Sequence, residues 1–292
     1  MNFYDKLVVK SGKKLDLNKF DPEECFNWTQ AEEIKGRIEK NVRKLLNLQY
    51  KLYAENRQSL LIVLQAMDAG GKDGVINNVI APLNPQGCRC ISFKVPSTLE
   101  AAHDFLWREH LVAPKNGELV VFNRSHYEGV LVERVHGNLS SKQLQNRFDL
   151  INDFEQLLLS NRTRVVKFYL HISKDEQLRR FGERLDDPEK HWKISENDYK
   201  EREYWDDYMV AFGDALANCS TKHAPWFIIP ANNKDFRNLA VSKILVETLE
   251  KMDPRIPEAT VDVAAIRRLY YGAAAESLAD KAEAAAVTHK KR

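Results

Sequence analysis

The stretch SLLIVLQAMDAGGKDGVI, residues 59–76, constrains the fold of this chain more than any other segment. A short apolar run leads into a glycine-rich loop with one lysine, Lys72, and then into a helical pattern. Glycines let backbone N–H groups point inward around an anion, and a following helix presents its positive N-terminus. Lys72 can reach a terminal phosphate as a point charge. The segment predicts a phosphate-binding loop between a strand and a helix; the alternative is a purely structural glycine turn.

The loop departs from the common phosphate-loop pattern GxxxxGK[ST] at two positions. Ala66 stands in place of the first glycine, and Asp73 stands where a serine or threonine would contact Mg²⁺. A metal ion therefore needs another oxygen ligand. Asp68, inside the loop, is our candidate because a hard carboxylate suits Mg²⁺. In the alternative, Asp68 caps the helix or pairs with Lys72.

Apolar runs of strand length alternate with helical patterns along the rest of the chain. The predicted strands are 60–65, 88–95, 118–123, 164–172 and 226–230. The predicted helices are 142–159, one opened by Ser173 with Glu176, one opened by Ser195 with Asp198, and 235–252. Short, continuously apolar strands are typical of a parallel sheet covered on both faces. We therefore predict an α/β domain of three layers with a five-stranded parallel sheet and right-handed crossovers.

Two further segments flank this domain, which we place at residues 59–252. Residues 1–58 predict a helical extension packed on the core, with a long amphipathic helix opened by a capping box of Thr29 and Glu32. Residues 253–292 begin with two prolines and contain 11 alanines, which indicates an appended segment, part helix and part mobile tail.

Charge and hydropathy exclude several classes of protein. The chain has 44 Lys and Arg against 42 Asp and Glu, and this balance excludes a globally basic nucleic-acid binder and an acidic disordered chain. No apolar run approaches the roughly 20 residues of a membrane-spanning helix, and the N-terminus lacks a signal-peptide segment. The four cysteines lack zinc spacing and are typical of free thiols in a reducing cytoplasm.

A second motif, FNRSHYE, closes the third predicted strand. Asn123 stands where a Walker B strand carries its metal-orienting carboxylate. Arg124 follows at the carboxyl end of the strand, where ligands of parallel sheets bind, and can clamp a phosphoryl group bidentately. Its alternative role is a surface ion pair. Glu128 is the nearest carboxylate that could replace the missing aspartate as a metal ligand, although a solvated helix face explains it almost as well.

The third motif, LRRFGERLDDPEKHWKIS, follows the fourth predicted strand. Arg180 and Arg184 lie four residues apart and share one helix face, and Lys190 and Lys193 follow. A cationic segment at this place, about residues 179–195, suits a helical lid that closes over phosphates and excludes water. The alternative is a solvated, charge-rich surface.

Together the three motifs resemble the polyphosphate kinase 2 family, through AMDAGGKDG, FNRSHYE with VERVHG, and RLDDPEKHWKIS. FNRSHYE resembles the class III branch, whose members accept nucleoside mono- and diphosphates. The resemblance implies a P-loop kinase fold similar to that of thymidylate kinase. It also implies reversible, Mg²⁺-dependent phosphoryl transfer from inorganic polyphosphate to AMP or ADP, with Mn²⁺ as a substitute metal and guanine nucleotides as further acceptors. A homo-oligomer, dimer or tetramer, is implied as well.

The expected site follows from these motifs and the resemblance. The predicted catalytic residues are Asp68, Lys72, Asn123 and Arg124, with Asp68 and Glu128 as metal ligands. The predicted phosphate contacts are Ala69, Gly70, Gly71, Asp73, Gly74, Arg134, Arg180, Arg184, Lys190 and Lys193. Since acids elsewhere balance these cations, we expect a basic channel at one edge of the sheet. Two other functions stay open: an ATP-dependent nucleotide kinase, and a P-loop protein that binds nucleotides without catalysis.

Overall fold

The computed structural model describes residues 2–10, 12 and 14–289, and its centre is one parallel sheet. Its strands are β1 (Ser59–Ala66), β2 (Cys88–Ser92), β3 (Leu119–Asn123), β4 (Thr163–His171) and β5 (Trp226–Pro230). They lie in the order β2-β3-β1-β4-β5, and every neighbouring pair is parallel. The predicted α/β architecture with a five-stranded parallel sheet is confirmed.

Helices precede, connect and follow the strands. They are α1 (Phe3–Leu7), α2 (Ala31–Glu55), α3 (Lys72–Val75, continued by a π-helical stretch Ile76–Ile80), α4 (Thr98–Ala101), α5 (Trp107–Val112), α6 (Glu128–Val135), α7 (Ser141–Ser160), α8 (Lys174–Leu185), α9 (Glu196–Glu203), α10 (Trp205–Cys219), α11 (Lys234–Met252) and α12 (Val263–His289). Helices α2, α3 and α11 pack as one group, and α6, α7 and α10 as another. With the sheet these two groups make up the three layers that we predicted.

Burial on both faces explains the apolar sequence of the central strand. Every residue of β1 is buried, and Leu60 pairs with Leu119 of β3 on one side and with Arg164 of β4 on the other. Because parallel strands end at a common edge, the loops that follow β1, β3, β4 and β5 meet there. That edge carries the residues discussed below.

The N-terminal extension contributes to the core. Phe3, Leu7 and Leu17 are buried, and the Val9 amide donates to the Trp226 carbonyl at 2.9 Å. Helix α2 packs along α11. Residues up to Arg255 form one compact unit, whereas α12 belongs to a second unit and is by itself a helix of 27 residues. The domain limits at residues 58 and 252, and the mobile tail, stay predictions.

Three local predictions were wrong. The second strand ends at Ser92 rather than at residue 95, because Val95 is 89% exposed and precedes Pro96, beyond the last residue of β3 that pairs with β2. Helix α2 begins after Gln30 without a side-chain cap, so Thr29 forms no capping box. The helix opened by Ser195 divides at Tyr204 into α9 and α10.

Among the residues that the structure describes, no helix is both long enough and apolar enough to cross a membrane.

Candidate active site

The loop between β1 and α3 has an unusual backbone. Ala69 and Gly71 adopt left-handed conformations, with φ of 58° and 103°, and the Gly70 amide donates to the Met67 carbonyl at 2.9 Å. A left-handed alanine is strained, and such strain clusters at functional sites. Helix α3 begins at Lys72, so the first amides of that helix have no partner within it. The loop therefore offers N–H donors to an anion, as predicted for a phosphate loop.

Arg124 faces this loop from the end of β3. Its backbone is also left-handed, with φ of 61°, and its amide donates to the Leu64 carbonyl at 3.1 Å. The guanidinium Nη2 donates to Asp68 Oδ1 at 2.9 Å. The structure thus brings the two motif residues Asp68 and Arg124 into direct contact, across 56 positions of sequence.

The lid segment, residues 179–195, contacts the loop through Asp73. Lys193 Nζ donates to Asp73 Oδ2 at 2.8 Å, and Asn123 Nδ2 donates to Asp73 Oδ1 at 3.2 Å. Burial alone would raise the pKa of Asp73, but the hydrogen bonds and charge of Lys193 and the amide of Asn123 lower it overall. Asp73 is therefore a carboxylate that holds the lid segment on the loop.

The other predicted cations divide into two sets. Arg180 is buried and donates to the Ala69 carbonyl at 2.9 Å, so it supports the backbone of the loop. Arg184 donates to Asp198 at 3.2 Å. Two others lie apart from the loop. These are Arg134, which pairs with Asp214 at 2.7 Å, and Lys190, which pairs with Asp187 at 2.7 Å.

Lys72 differs from all of these cations. The predicted arginines and the other predicted lysines each form an ion pair, but Lys72 pairs with no carboxylate within the described ranges. Its Nζ donates to the Ala66 carbonyl at 3.1 Å. Burial and the neighbouring Arg124 charge lower the pKa of Lys72, and Asp68 and Glu128 oppose them. The ammonium is thus held in the loop with capacity to bind an anion.

The acidic groups around Lys72 suit a hard metal ion. Asp68 and Glu128 both act on Lys72 and Arg124 electrostatically, and Glu128 accepts a hydrogen bond from Gln65 Nε2 at 3.0 Å. In the described part of the chain, no group of three or more His, Cys, Asp and Glu side chains is arranged so that it could hold a metal ion. Carboxylate oxygens are hard ligands, and a divalent cation at phosphates often takes only one or two of them from the protein. The donor set fits a divalent cation completed by the substrate.

A cavity of about 780 Å³ opens beside the loop. Asp68, Arg124 and Glu128 line it, so it adjoins residues that we predicted for catalysis and metal binding. Sequence analysis did not assign the rest of its wall, which includes Phe93, His103, Arg108, Arg147, Gln177, Asp198, Arg202 and Tyr208. Its volume lies in the range of small-molecule sites, and its wall combines aromatic rings and cations with several carboxylates.

Two kinds of residue at the site gave no sequence signal. The wall between residues 93 and 109 includes α4 and part of α5, which have four and six residues and are too short for a helical period. Gln177 donates to the Asp68 carbonyl at 3.0 Å, and Arg237 packs against the loop glycines. Gln177 lies on the helix of the predicted lid cations but just before the motif, and Arg237 lies on a helix whose pattern predicted only packing.

Comparison with known proteins gives concordant matches. The family model described as Polyphosphate kinase 2 (PPK2) matches residues 29–257. The ADP-polyphosphate phosphotransferase of Rhodopseudomonas palustris is 44% identical, covering 86% of this chain and 91% of its own. The AMP/ADP-polyphosphate phosphotransferase of Meiothermus ruber is 46% identical, covering 87% and 95%.

A solved structure agrees with the fold. The crystal structure of Polyphosphate Kinase 2 from Arthrobacter aurescens TC1 superposes with a TM-score of 0.89 at 42% identity, over 93% of this chain and 97% of that one. This likeness, together with the parallel sheet and the loop after β1, confirms the predicted α/β P-loop kinase fold.

Proposed function

The chain belongs to the polyphosphate kinase 2 family, and from that premise we propose that it transfers the terminal phosphoryl group of inorganic polyphosphate to nucleoside mono- and diphosphates. AMP would become ADP and ADP would become ATP, reversibly. The observation that carries the proposal is the juxtaposition of the loop lysine Lys72, the Asp68–Arg124 pair and the adjoining cavity. Guanine nucleotides are proposed as further acceptors.

We propose separate regions for the two substrates. We place the acceptor nucleotide in the cavity, with its phosphates toward Arg124. The donor chain then lies across the loop amides and Lys72, under the lid segment that Lys193 attaches to Asp73. Both phosphates meet between Lys72 and Arg124, which are close enough for the charge of one to lower the pKa of the other.

The reaction needs no nucleophilic side chain. An ionised oxygen of the acceptor phosphate attacks the terminal phosphorus of the donor, one P–O bond forms, and the bond to the rest of the chain breaks. Negative charge spreads over the equatorial oxygens in the transition state, so positioning and fixed cations supply most of the catalysis. Lys72, Arg124 and the loop amides are the groups that we propose for this task.

A divalent cation completes the site in this proposal. We propose Mg²⁺, with Mn²⁺ as a substitute, held by Asp68 and Glu128 on the protein side; Asn123 replaces the usual strand-end carboxylate with an amide. When bound, the ion neutralises charge on the substrate phosphates.

We propose the cytoplasm as the location of the protein, because its nucleotide substrates occur there. We also propose that the protein forms a homo-oligomer. Light scattering would measure the mass of that oligomer.

The proposal predicts a donor-specific activity. Purified protein given ADP and long-chain polyphosphate with Mg²⁺ should form ATP, and AMP with the same donor should form ADP first and then ATP. GMP and GDP test the guanine acceptors. Product nucleotides separated by ion-exchange chromatography give the rates directly.

The rival functions give different results in that assay. Turnover of AMP with ATP but not with polyphosphate would indicate an ATP-dependent nucleotide kinase on the same fold. Saturable nucleotide binding without any transfer would indicate a binding protein. Either result would overturn the proposed donor.

Donor affinity should also decline at alkaline pH. The lowered pKa of Lys72 means that the free enzyme loses this proton below the ordinary lysine pKa of about 10.4. A bound phosphate favours the ammonium, so affinity is full at lower pH and is lost as pH rises through the free-state pKa. Calorimetric titration with tripolyphosphate between pH 8 and 10 measures this. A Lys72→Met variant should bind more weakly and with a smaller decline; an undiminished decline in the variant would assign it to another group.

A further inference from the structure

One arginine behind the phosphate loop is buried without an ion-pair partner in the described structure. Arg237, in the first turn of α11, is only 3% exposed. Its Nε and Nη2 donate to the neutral side-chain oxygen of Asn238 at 3.1 and 3.0 Å. Within residues 2–10, 12 and 14–289 no carboxylate forms an ion pair with Arg237. Burial, followed by the charge of Arg180, lowers its pKa to about 10.

This guanidinium touches the loop itself. A Cβ on Gly71 would overlap Arg237 Nη1, and a Cβ on Gly74 would lie 2.5 Å from Nη2. The two glycines therefore admit the guanidinium against the backbone at the start of α3. Arg180 approaches the same place, with Nη1 at 3.4 Å from the Gly71 Cβ position, but its charge is balanced by Glu176.

A buried charge without a partner destabilises a fold, and proteins seldom keep one without compensation. In the ligand-free protein only the charge of Asp235 opposes the effect of burial on Arg237, and it does so without an ion pair. A phosphate bound on the other side of the Gly71–Gly74 backbone would supply further compensation, because charges interact strongly in a site that excludes water. Arg237 and Lys72 are then two cations at the loop that lack a carboxylate partner in the described structure.

We propose that Arg237 is a positioning residue for the phosphate donor: its fixed charge, set behind the backbone of Gly71 and Gly74, attracts the polyphosphate bound in the loop without touching it. The inference rests on the proposed function, since polyphosphate is the donor named there. It assigns part of donor affinity to a residue outside the three sequence motifs.

The test compares the affinity for tripolyphosphate of the wild type with that of three variants, by calorimetric titration at fixed ionic strength. Arg237→Met removes the charge and keeps most of the stem, and should bind about tenfold more weakly. Arg237→Lys keeps the charge and should retain most of the affinity. Arg43→Met makes the same charge change at an exposed position of α2 and should bind like the wild type.

Kinetics and stability separate this role from a structural one. With polyphosphate as donor, Arg237→Met should raise the KM for polyphosphate about tenfold while leaving the KM for ADP and the folded fraction unchanged. Its ligand-free unfolding midpoint should equal or exceed that of the wild type, because the uncompensated charge is gone. Arg237→Gln, which is smaller and neutral, replaces the methionine variant if that one does not fold.

Two results would overturn the inference. Unchanged tripolyphosphate affinity in both neutral variants would remove Arg237 from donor binding. Equal losses in Arg237→Lys and Arg237→Met would show that the shape of the guanidinium, not its charge, is what the loop needs. Because binding is measured without turnover, a wild type that binds tripolyphosphate but does not transfer from polyphosphate contradicts the proposed function and still allows this test.

Discussion

Lys72→Met is expected to lower the rate of phosphoryl transfer on the order of 10²-fold or more, with the fold intact. That is the usual cost of losing one preorganised donor aimed at transition-state charge. Methionine keeps the unbranched stem of lysine and removes only the ammonium. Within the described part of the chain the ammonium makes one hydrogen bond, to the Ala66 carbonyl, so the protein itself loses little when it is removed.

The loss should appear mainly in kcat. Charge on the equatorial oxygens increases as the transition state forms, so a cation between donor and acceptor stabilises it more than it stabilises the bound substrates. The KM for the acceptor should change less than kcat, because the cavity that we assign to the nucleotide does not include Lys72. Steady-state rates at saturating polyphosphate and varied ADP separate the two constants.

The matched control is Lys40→Met, which makes the same change at an exposed position of α2. It should leave both kinetic constants within twofold of the wild type. Near-normal kcat in Lys72→Met, with the unfolding midpoint of both variants close to the wild type, would remove Lys72 from the catalytic centre and leave Arg124 as the principal cation.

The sheet was predictable because its physics is local. A strand buried on both faces needs a continuous apolar run, and the run from Leu60 to Leu64 has no exposed residue. The ends of elements were less predictable because contacts outside the segment decide them. At the edge strand β2, pairing stops with Ser92, where its partner β3 ends, although the apolar pattern continues.

The site was predictable to the extent that it lies in contiguous motifs. Lys72 and Arg124 could be named because a strand, a glycine loop and a strand end each leave a short sequence pattern. The contact of Arg237 with Gly71 joins residues 166 positions apart, and nothing near Arg237 in the sequence indicates it. Arg180 was predicted as a lid cation, and the structure instead buries it against the Ala69 carbonyl.

A buried ion pair beside the sheet is another contact between distant residues that the sequence does not reveal. Breaking this pair is expected to have the largest effect on the stability of the fold. Lys167, within β4, is fully buried; its ammonium pairs with Glu155 of α7 and donates to the Cys219 carbonyl at 2.8 Å. Tyr127 donates to Glu155 Oε1 at 2.9 Å. The sequence pattern predicted β4 as an apolar strand. A hydropathy pattern cannot show which distant carboxylate pairs with Lys167.

Lys167→Met is expected to lower the free energy of unfolding by about 3–5 kcal/mol, because it leaves the Glu155 carboxylate buried without its cation. Burial raises the pKa of Glu155, and the charge of Lys167 is the largest effect that opposes this and lowers the pKa overall. Urea denaturation followed by circular dichroism measures the loss. An exposed pair provides the control: Lys44→Met, which breaks the contact with Glu250 at 3.2 Å, should cost no more than about 1 kcal/mol.

The double variant Lys167→Met with Glu155→Leu should regain part of the stability that Lys167→Met loses, although Tyr127 and His126 then lack the carboxylate that they contact. Removing both charges removes the desolvation cost as well as the attraction, and apolar side chains of similar volume often replace a buried pair at little cost. The expected coupling between the two substitutions is therefore several kcal/mol, far above the threshold for independent sites. Additive losses in the double variant would mean that Glu155 is held by His126 and Tyr127, which lie at 3.3 and 2.9 Å from its Oε1, rather than by Lys167. The hydrogen bonds of Glu155 to His126 and Tyr127 would then stabilise the fold, and the attraction between the charges of Lys167 and Glu155 would not.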